Sequence, residues 1–345
     1  MKIIINRKII IKFVIGIIVI FIVGFVAAIG MLYYYNLPVS ASDDEIITLH
    51  VERGETLRSI SRNLEENDLI RSKFLMMAIS RVMGTEQKMK SGQYGISRNM
   101  DTLEIHRMIY SGSAMLYRVT IPEGLTVSKI AEILEETNIV NKESFFNAVT
   151  NSSLISRFNI PADSLEGYLF PDSYMFPKNY SAEKVVTYMV QNFFRKLEQI
   201  YPEYENRTPK EIYDHVILAS IIEREYRVEK EAPMMASVFI NRLNIGMQLG
   251  SCATVEYIIT EILGRPHPKR ITYADIAIES DYNTYIRFGL PPGPISNPGV
   301  IALSAAFNPA ETNYLFFLLR NRNTGEHFFS TRLSDHNRAR DLYLR

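Results

Sequence analysis

The sequence predicts an α+β protein: one apolar helix near the N-terminus, then two regions in which short strands alternate with helices. Three observations predict it. Residues 13–35, "FVIGIIVIFIVGFVAAIGMLYYY", carry no charge. Two strand-turn-helix patterns follow, "ITLHVERGETLRSISRNLEENDLI" and "YRVTIPEGLTVSKIAEILEET". A capped helical stretch, "TPKEIYDHVILASIIE", comes later among turn-rich loops. At 345 residues and 47% hydrophobic content the chain can build two cores. The expected division is a cytoplasmic N-terminus at 1–12, a transmembrane helix at 13–35, a linker at 36–46, a small βααβ-type unit at 47–115 and a second α+β region at 116–345.

The first element is read from length and charge. The 23 residues from Phe13 to Tyr35 span about 34 Å as a helix, enough for a bilayer core. Lys2, Arg7, Lys8 and Lys12 precede them, and Asp43, Asp44 and Glu45 follow. That asymmetry puts the N-terminus in the cytoplasm and the rest of the chain outside. Tyr33, Tyr34 and Tyr35 suit the interfacial belt. The alternative is a cleaved signal peptide, with "SAS" at Ser40 to Ser42 as a weak cleavage site, but the apolar run is long for one. The single cysteine, Cys252, excludes an internal disulfide. It is expected to be buried and inert, with a reactive thiol as the alternative. Lys and Arg number 38, as do Asp and Glu. That balance argues against a nucleic-acid partner.

After a proline-containing linker, "ITLHV" alternates like a strand and Gly54 marks a turn. Leu57, Ile60, Leu64 and Leu69 are at helical spacing. "SKFLMMAISRVMG" reads as a helix closed by Gly84. "SGQYGIS" reads as a strand, and Asp101 opens a further helix. This β-α-α-β-α order resembles the small LysM-like fold that binds N-acetylated sugar chains; a plain spacer is the alternative. The second pattern repeats the first in degenerate form, with a turn at Gly124 and Ile130, Ile133 and Leu134 facing inward. Its "LYRVTIPEG" strand either joins the first sheet or opens the next region.

Thr208, Pro209 and Glu211 make a capping box with proline at the first helical position, so a helix is expected over Pro209–Tyr226. At about 100° per residue, Ile212, Val216, Ala219 and Glu223 fall on one line. Glu223 therefore extends an apolar stripe, while Glu225 lies on the other side with Asp214. A carboxyl on such a stripe loses hydration of its charged form, so its pKa rises. That suits a general acid for a glycosidic oxygen. The alternative is an ion pair with Arg224, Arg227 or Arg242. Spacing alone leaves both open.

"ASIIEREYRVEKEAPMMASVFINRL", "LEGYLFPDSY", "YNTYIRFGLPPGPISNPG" and "HNRAR" resemble the YceG-like (MltG) family of membrane-anchored endolytic murein transglycosylases. The resemblance covers most of the chain, in the family's order. It implies cleavage inside peptidoglycan glycan strands between N-acetylmuramic acid and N-acetylglucosamine, leaving a 1,6-anhydro end and ending strand elongation. It implies that Glu223 acts first as acid and then as base, against a lysozyme-like cleft, with no metal and no cofactor. Peptidoglycan synthases are implied as partners. Glu166 is expected as a second cleft carboxylate or a loop anchor. Asn283, Thr284 and Tyr285 are expected to bind sugar groups or to shape a turn, and Asn297 to line the cleft. His336 and Asn337 are expected either to bond across to the catalytic helix or to cap an exposed one. The chain departs from the family at "MQLGSCATV": Gly250 stands at a usual Gln, and Cys252-Ala253 at a usual Asp-Pro. Ser251 or Thr254 is expected to compensate. Two other readings stay open: a non-catalytic wall-binding scaffold, favoured by that loop, and a water-using muramidase with Glu166 as its second carboxylate.

Overall fold

The computed structural model describes residues 7–41, 43, 46–112 and 116–343. Lys2, Ser42, Asp44, Glu45 and the expected boundary at 115 lie outside the described residues. The chain divides into two compact units, Met1–Leu116 and Tyr117–Arg345.

The first unit begins with helix α1 (Arg7–Asn36). Its Ile18–Asn36 stretch is long and apolar enough to cross a membrane, a property that anchors and secretion signals share. Strand β1 (Ile46–Val51) follows, then helices α2 (Leu57–Glu66) and α3 (Lys73–Val82), strand β2 (Gly92–Ser97) and helix α4 (Thr102–Ser111). β1 and β2 pair antiparallel, with Leu49 opposite Tyr94. Leu49, Val51, Ile60, Leu64, Met76, Tyr94, Ile96 and Ile105 form the core. Each helix starts where a side chain caps it: Thr56, Ser72 and Asp101 accept from Ser59, Leu75 and Glu104 N–H groups.

The second unit opens with strand β3 (Tyr117–Thr120), then helices α5 (Val127–Glu136), α6 (Lys142–Val149) and α7 (Ser152–Arg157) and strand β4 (Ser173–Phe176). β3 pairs antiparallel with β4, not with β1 or β2, so "LYRVTIPEG" opens the second region. The repeat is visible in the backbone. Gly54 and Gly124, Asp68 and Asn138 are each seventy positions apart, and all four have positive φ. Thr126 caps α5 as Thr56 caps α2.

Helices α8 (Ala182–Ile200), α9 (Pro209–Glu225), α10 (Ala232–Asn244) and α11 (Cys252–Tyr257) come next. A single π turn at Ile258–Ile262 extends α11. Then come α12 (Val300–Phe307), the antiparallel strands β5 (Phe316–Leu319) and β6 (His327–Ser330), and α13 (Leu333–Tyr343). α9 carries the anticipated capping box between Thr208 and Glu211. One expectation is corrected here. α9 is not apolar on a single stripe: every residue from Val216 to Ile222 is buried. α10, α11 and α12 all pack on it, so its second half is enclosed on several faces.

Candidate active site

Glu223 lies in the last turn of α9, where the enclosed helix emerges, and its carboxyl is half-buried. Its Oε2 accepts the Gly299 N–H at 2.9 Å. Gly299 is the N-cap of α12, so the acid faces the start of that helix. The Tyr226 hydroxyl, at the C-cap of α9, also hydrogen-bonds the carboxylate. The Gly124 backbone lies against the Glu223 side chain: a Cβ there would sit 3.4 Å from its Cγ. Burial pushes the Glu223 pKa up to about 7. The Gly299 and Tyr226 bonds pull it down, while the charge of Glu123 raises it. Among the described residues no cation pairs with Glu223. Arg224 pairs with Glu256 at 3.0 Å, and Arg242 donates to the Leu315 and Leu249 carbonyls.

The loop bringing Gly299 to Glu223 is tied down at each step. Ile295 N–H donates to Ser220 Oγ, and Ser296 Oγ donates to the Ser220 carbonyl, both at 3.0 Å. Asn297 Nδ2 donates to Leu125 O and to Glu166 Oε1, and its Oδ1 accepts the Leu169 N–H. Glu166 also takes the Val127 N–H, at 3.1 and 3.0 Å to its two oxygens, at the first turn of α5. Both residues are buried. Asn297 therefore does not line an opening; its polar atoms hold the loop. Of the two expectations for Glu166, the geometry is that of an anchor. Burial pushes its pKa up to about 8 against the donors that face it.

The other face of the helix end holds a separate polar cluster. Glu225 accepts the Ser251 hydroxyl at 2.5 Å. Ser251 N–H donates to Thr284 Oγ1, and Thr254 and Thr284 share a hydrogen bond at 2.9 Å. Asn283 is buried and donates to the Ile276 and Ile278 carbonyls. Thr254, Asn283 and Thr284 are thus internal, and sugar contact through their side chains is not what the geometry offers. The structure brings them together with Gly250, not with Glu223. Gly250 has φ +58, a conformation side chains rarely adopt, and its N–H donates to the Thr284 carbonyl. Tyr285 is half-buried, and its hydroxyl meets the Cys252 sulfur at 3.0 Å. Cys252 is exposed, contrary to the expectation of a buried thiol, because α11 turns it outward while Ala253 and Thr254 face the core.

His336 packs its ring 5.4 Å from Phe316, and its Nδ1 has no partner. Asn337 makes no side-chain hydrogen bond among the described residues. Neither bonds to α9, because α13 packs on β5 and β6. Sequence reasoning missed two neighbours of Glu223: Glu123 and Tyr226. Glu123 stands in a turn straight after a strand, a common place for working side chains. Only tertiary packing shows what it faces.

Residues 49–341 match the YceG-like family, and the chain belongs to it. It is 30% identical over 326 residues to the endolytic murein transglycosylase of Bacillus subtilis (strain 168), covering 89% of this chain and 87% of that protein. It is 26% identical to the endolytic murein transglycosylase of Streptococcus pneumoniae serotype 2, covering 88% of this chain and 59% of that longer protein. Among solved structures it resembles a crystal structure of a yceG-like protein from Listeria monocytogenes. The TM-score is 0.56 and the identity 30%, over 85% of this chain and 99% of that one.

Proposed function

We propose that the protein is a membrane-anchored endolytic murein transglycosylase. It cleaves the bond between N-acetylmuramic acid and N-acetylglucosamine inside nascent peptidoglycan strands, leaves 1,6-anhydro ends and stops elongation. One observation carries this reading: a half-buried carboxyl in the last turn of an enclosed helix, its pKa pushed up to about 7. A substantial fraction is then protonated at neutral pH, as a general acid requires. Protonated Glu223 gives its proton to the bridging oxygen as the bond to the muramic C1 breaks. The carboxylate left behind keeps the Gly299 and Tyr226 donors. It then takes the proton of the muramic C6 hydroxyl, whose oxygen closes onto C1. The C6 hydroxyl takes the place of water as the group that closes on C1, and Glu223 ends protonated as it began, so no water is consumed. The relatives named as endolytic murein transglycosylases support the same substrate class.

In this reading α1 is an uncleaved single-pass anchor with its N-terminus in the cytoplasm, and the second unit works outside the membrane. The first unit is a LysM-like binder of the glycan, and the second presents a lysozyme-like cleft. Peptidoglycan synthases are the partners. The scaffold alternative rested on the altered "LGSCATV" loop. That loop closes its own hydrogen bonds through Ser251, Thr254 and Thr284, so the departure is accommodated. The muramidase alternative needed Glu166 as a free second carboxylate, and its oxygens are engaged at α5 and Asn297. The test is mass spectrometry of peptidoglycan treated with the detergent-solubilised protein and with Glu223→Gln. Anhydro-muropeptides from internal cuts, lost in the variant, are expected. Reducing ends would replace the lytic reading with hydrolysis, and no products at all would end the enzyme claim.

A further inference from the structure

Glu123 is exposed on the turn between β3 and α5, and no hydrogen bond ties its carboxylate to the protein among the described residues. Its neighbour Gly124 is fixed: the Gly124 N–H donates to the Asn297 carbonyl at 2.9 Å. The Glu123 carboxylate rests directly on Gly299. A Cβ built on Gly299 would lie 1.8 Å from Glu123 Oε1 and 2.1 Å from its Cδ. The same glycine donates its N–H to Glu223 at 2.9 Å. The two carboxylates therefore flank one residue, on a loop held by Ser220, Asn297 and Glu166. Gly299 has φ −84, an ordinary value for any residue. A side chain at this position would therefore meet no backbone strain, but it would displace the Glu123 tip from its seat.

We propose that Glu123 is a positioning residue for the reaction: its negative charge, seated on Gly299, keeps the Glu223 carboxyl in the protonated form that donates to the glycosidic oxygen. The inference rests on the reading of Glu223 as the acid. Burial already disfavours the charged form of the Glu223 carboxyl, and the neighbouring Glu123 charge adds to that, so both favour the proton on Glu223. The other groups facing Glu223 oppose this: the Gly299 N–H, the Tyr226 hydroxyl and the Arg224 guanidinium each favour its charged form. Glu123 is the one charged side chain among these neighbours that favours the acid.

The experiment titrates the carboxyls of the full-length protein in detergent by isotope-labelled glutamate NMR, with Glu223→Gln to assign the signal. Two variants are compared with the parent. Glu123→Gln removes the charge. Gly299→Ala leaves the charge but pushes the flexible Glu123 tip off its seat. Both are expected to lower the Glu223 midpoint by about half a unit to one unit. In the strand-cutting assay the alkaline limb of the pH profile should move by the same amount, about a threefold to tenfold loss of rate on that limb. An unchanged midpoint in Glu123→Gln overturns the inference. A midpoint lowered in Glu123→Gln but not in Gly299→Ala overturns the seat on Gly299 while keeping the charge effect. The titration reads the carboxyl whether or not strands are cut, so its failure is distinct from failure of the proposed function.

Discussion

Glu223 and Glu225 stand two positions apart on one helix, and their surroundings give them different work. Glu225 is engaged by Ser251 on the side of α11; Glu223 is half-buried against Gly299 at the start of α12. Raising a carboxyl's pKa in the folded state has two consequences with defined signs. A general acid must hold its proton, so cutting should fall as pH rises through about 7, the pKa of Glu223. A rate profile from pH 5 to 9 checks this; a flat profile would remove Glu223 as the acid. The second consequence concerns stability. The folded pKa lies above the unfolded value of 4.5. The contribution of this group is thus fully present below about 4.5 and is lost as pH rises through about 7. Glu223→Gln should then melt higher than the parent at pH 8, with the difference vanishing near pH 4.5, in paired thermal melts.

At the scale of elements, α9 is set by its first turn and finished by its neighbours. Thr208→Ala removes the cap donor-acceptor pair with Glu211 and should cost about 1 kcal/mol in denaturant unfolding. Cutting activity of the folded fraction should be unchanged, because Glu223 sits at the other end. Gly250→Gln restores the residue type usual in the family and places it at φ +58. It should destabilise the protein by about 1 kcal/mol or more on strain alone; a neutral or stabilised variant in the same unfolding assay would show that the loop relaxes. The cap and length of α9, the strand-turn-helix units and the position of Glu223 were legible in the sequence, because caps and periodicity are local. The roles of Asn297, Asn283 and Thr284 were not. They stand in a proline-rich loop whose hydrogen bonds reach back to Leu125, Glu166 and Ser251, partners that no local pattern names. Glu123 was hidden for the same reason, since "IPEG" reads as a turn until Gly299 is seen beneath it.

At the scale of the molecule, a helix with a long uncharged stretch and two separately cored units make an arrangement in which that helix and the chemistry can be tested apart. Replacing residues 13–35 with an unrelated membrane helix should leave strand cutting in detergent unchanged, since every neighbour of Glu223 lies in the second unit. A loss of cutting, measured on the same muropeptide products, would assign the helix a part in the active protein beyond attachment. The seventy-residue echo between the units has a further meaning. Shifted by that interval, Thr126 falls on Thr56, Gly124 on Gly54, and Glu123 on Arg53. The paired turns share backbone and cap but differ in sign: a base at Arg53, an acid at Glu123. The second turn sets its charge on Gly299, beside Glu223. One backbone turn, used twice, thus delivers opposite charges, and the acidic copy is the one that reaches the candidate acid.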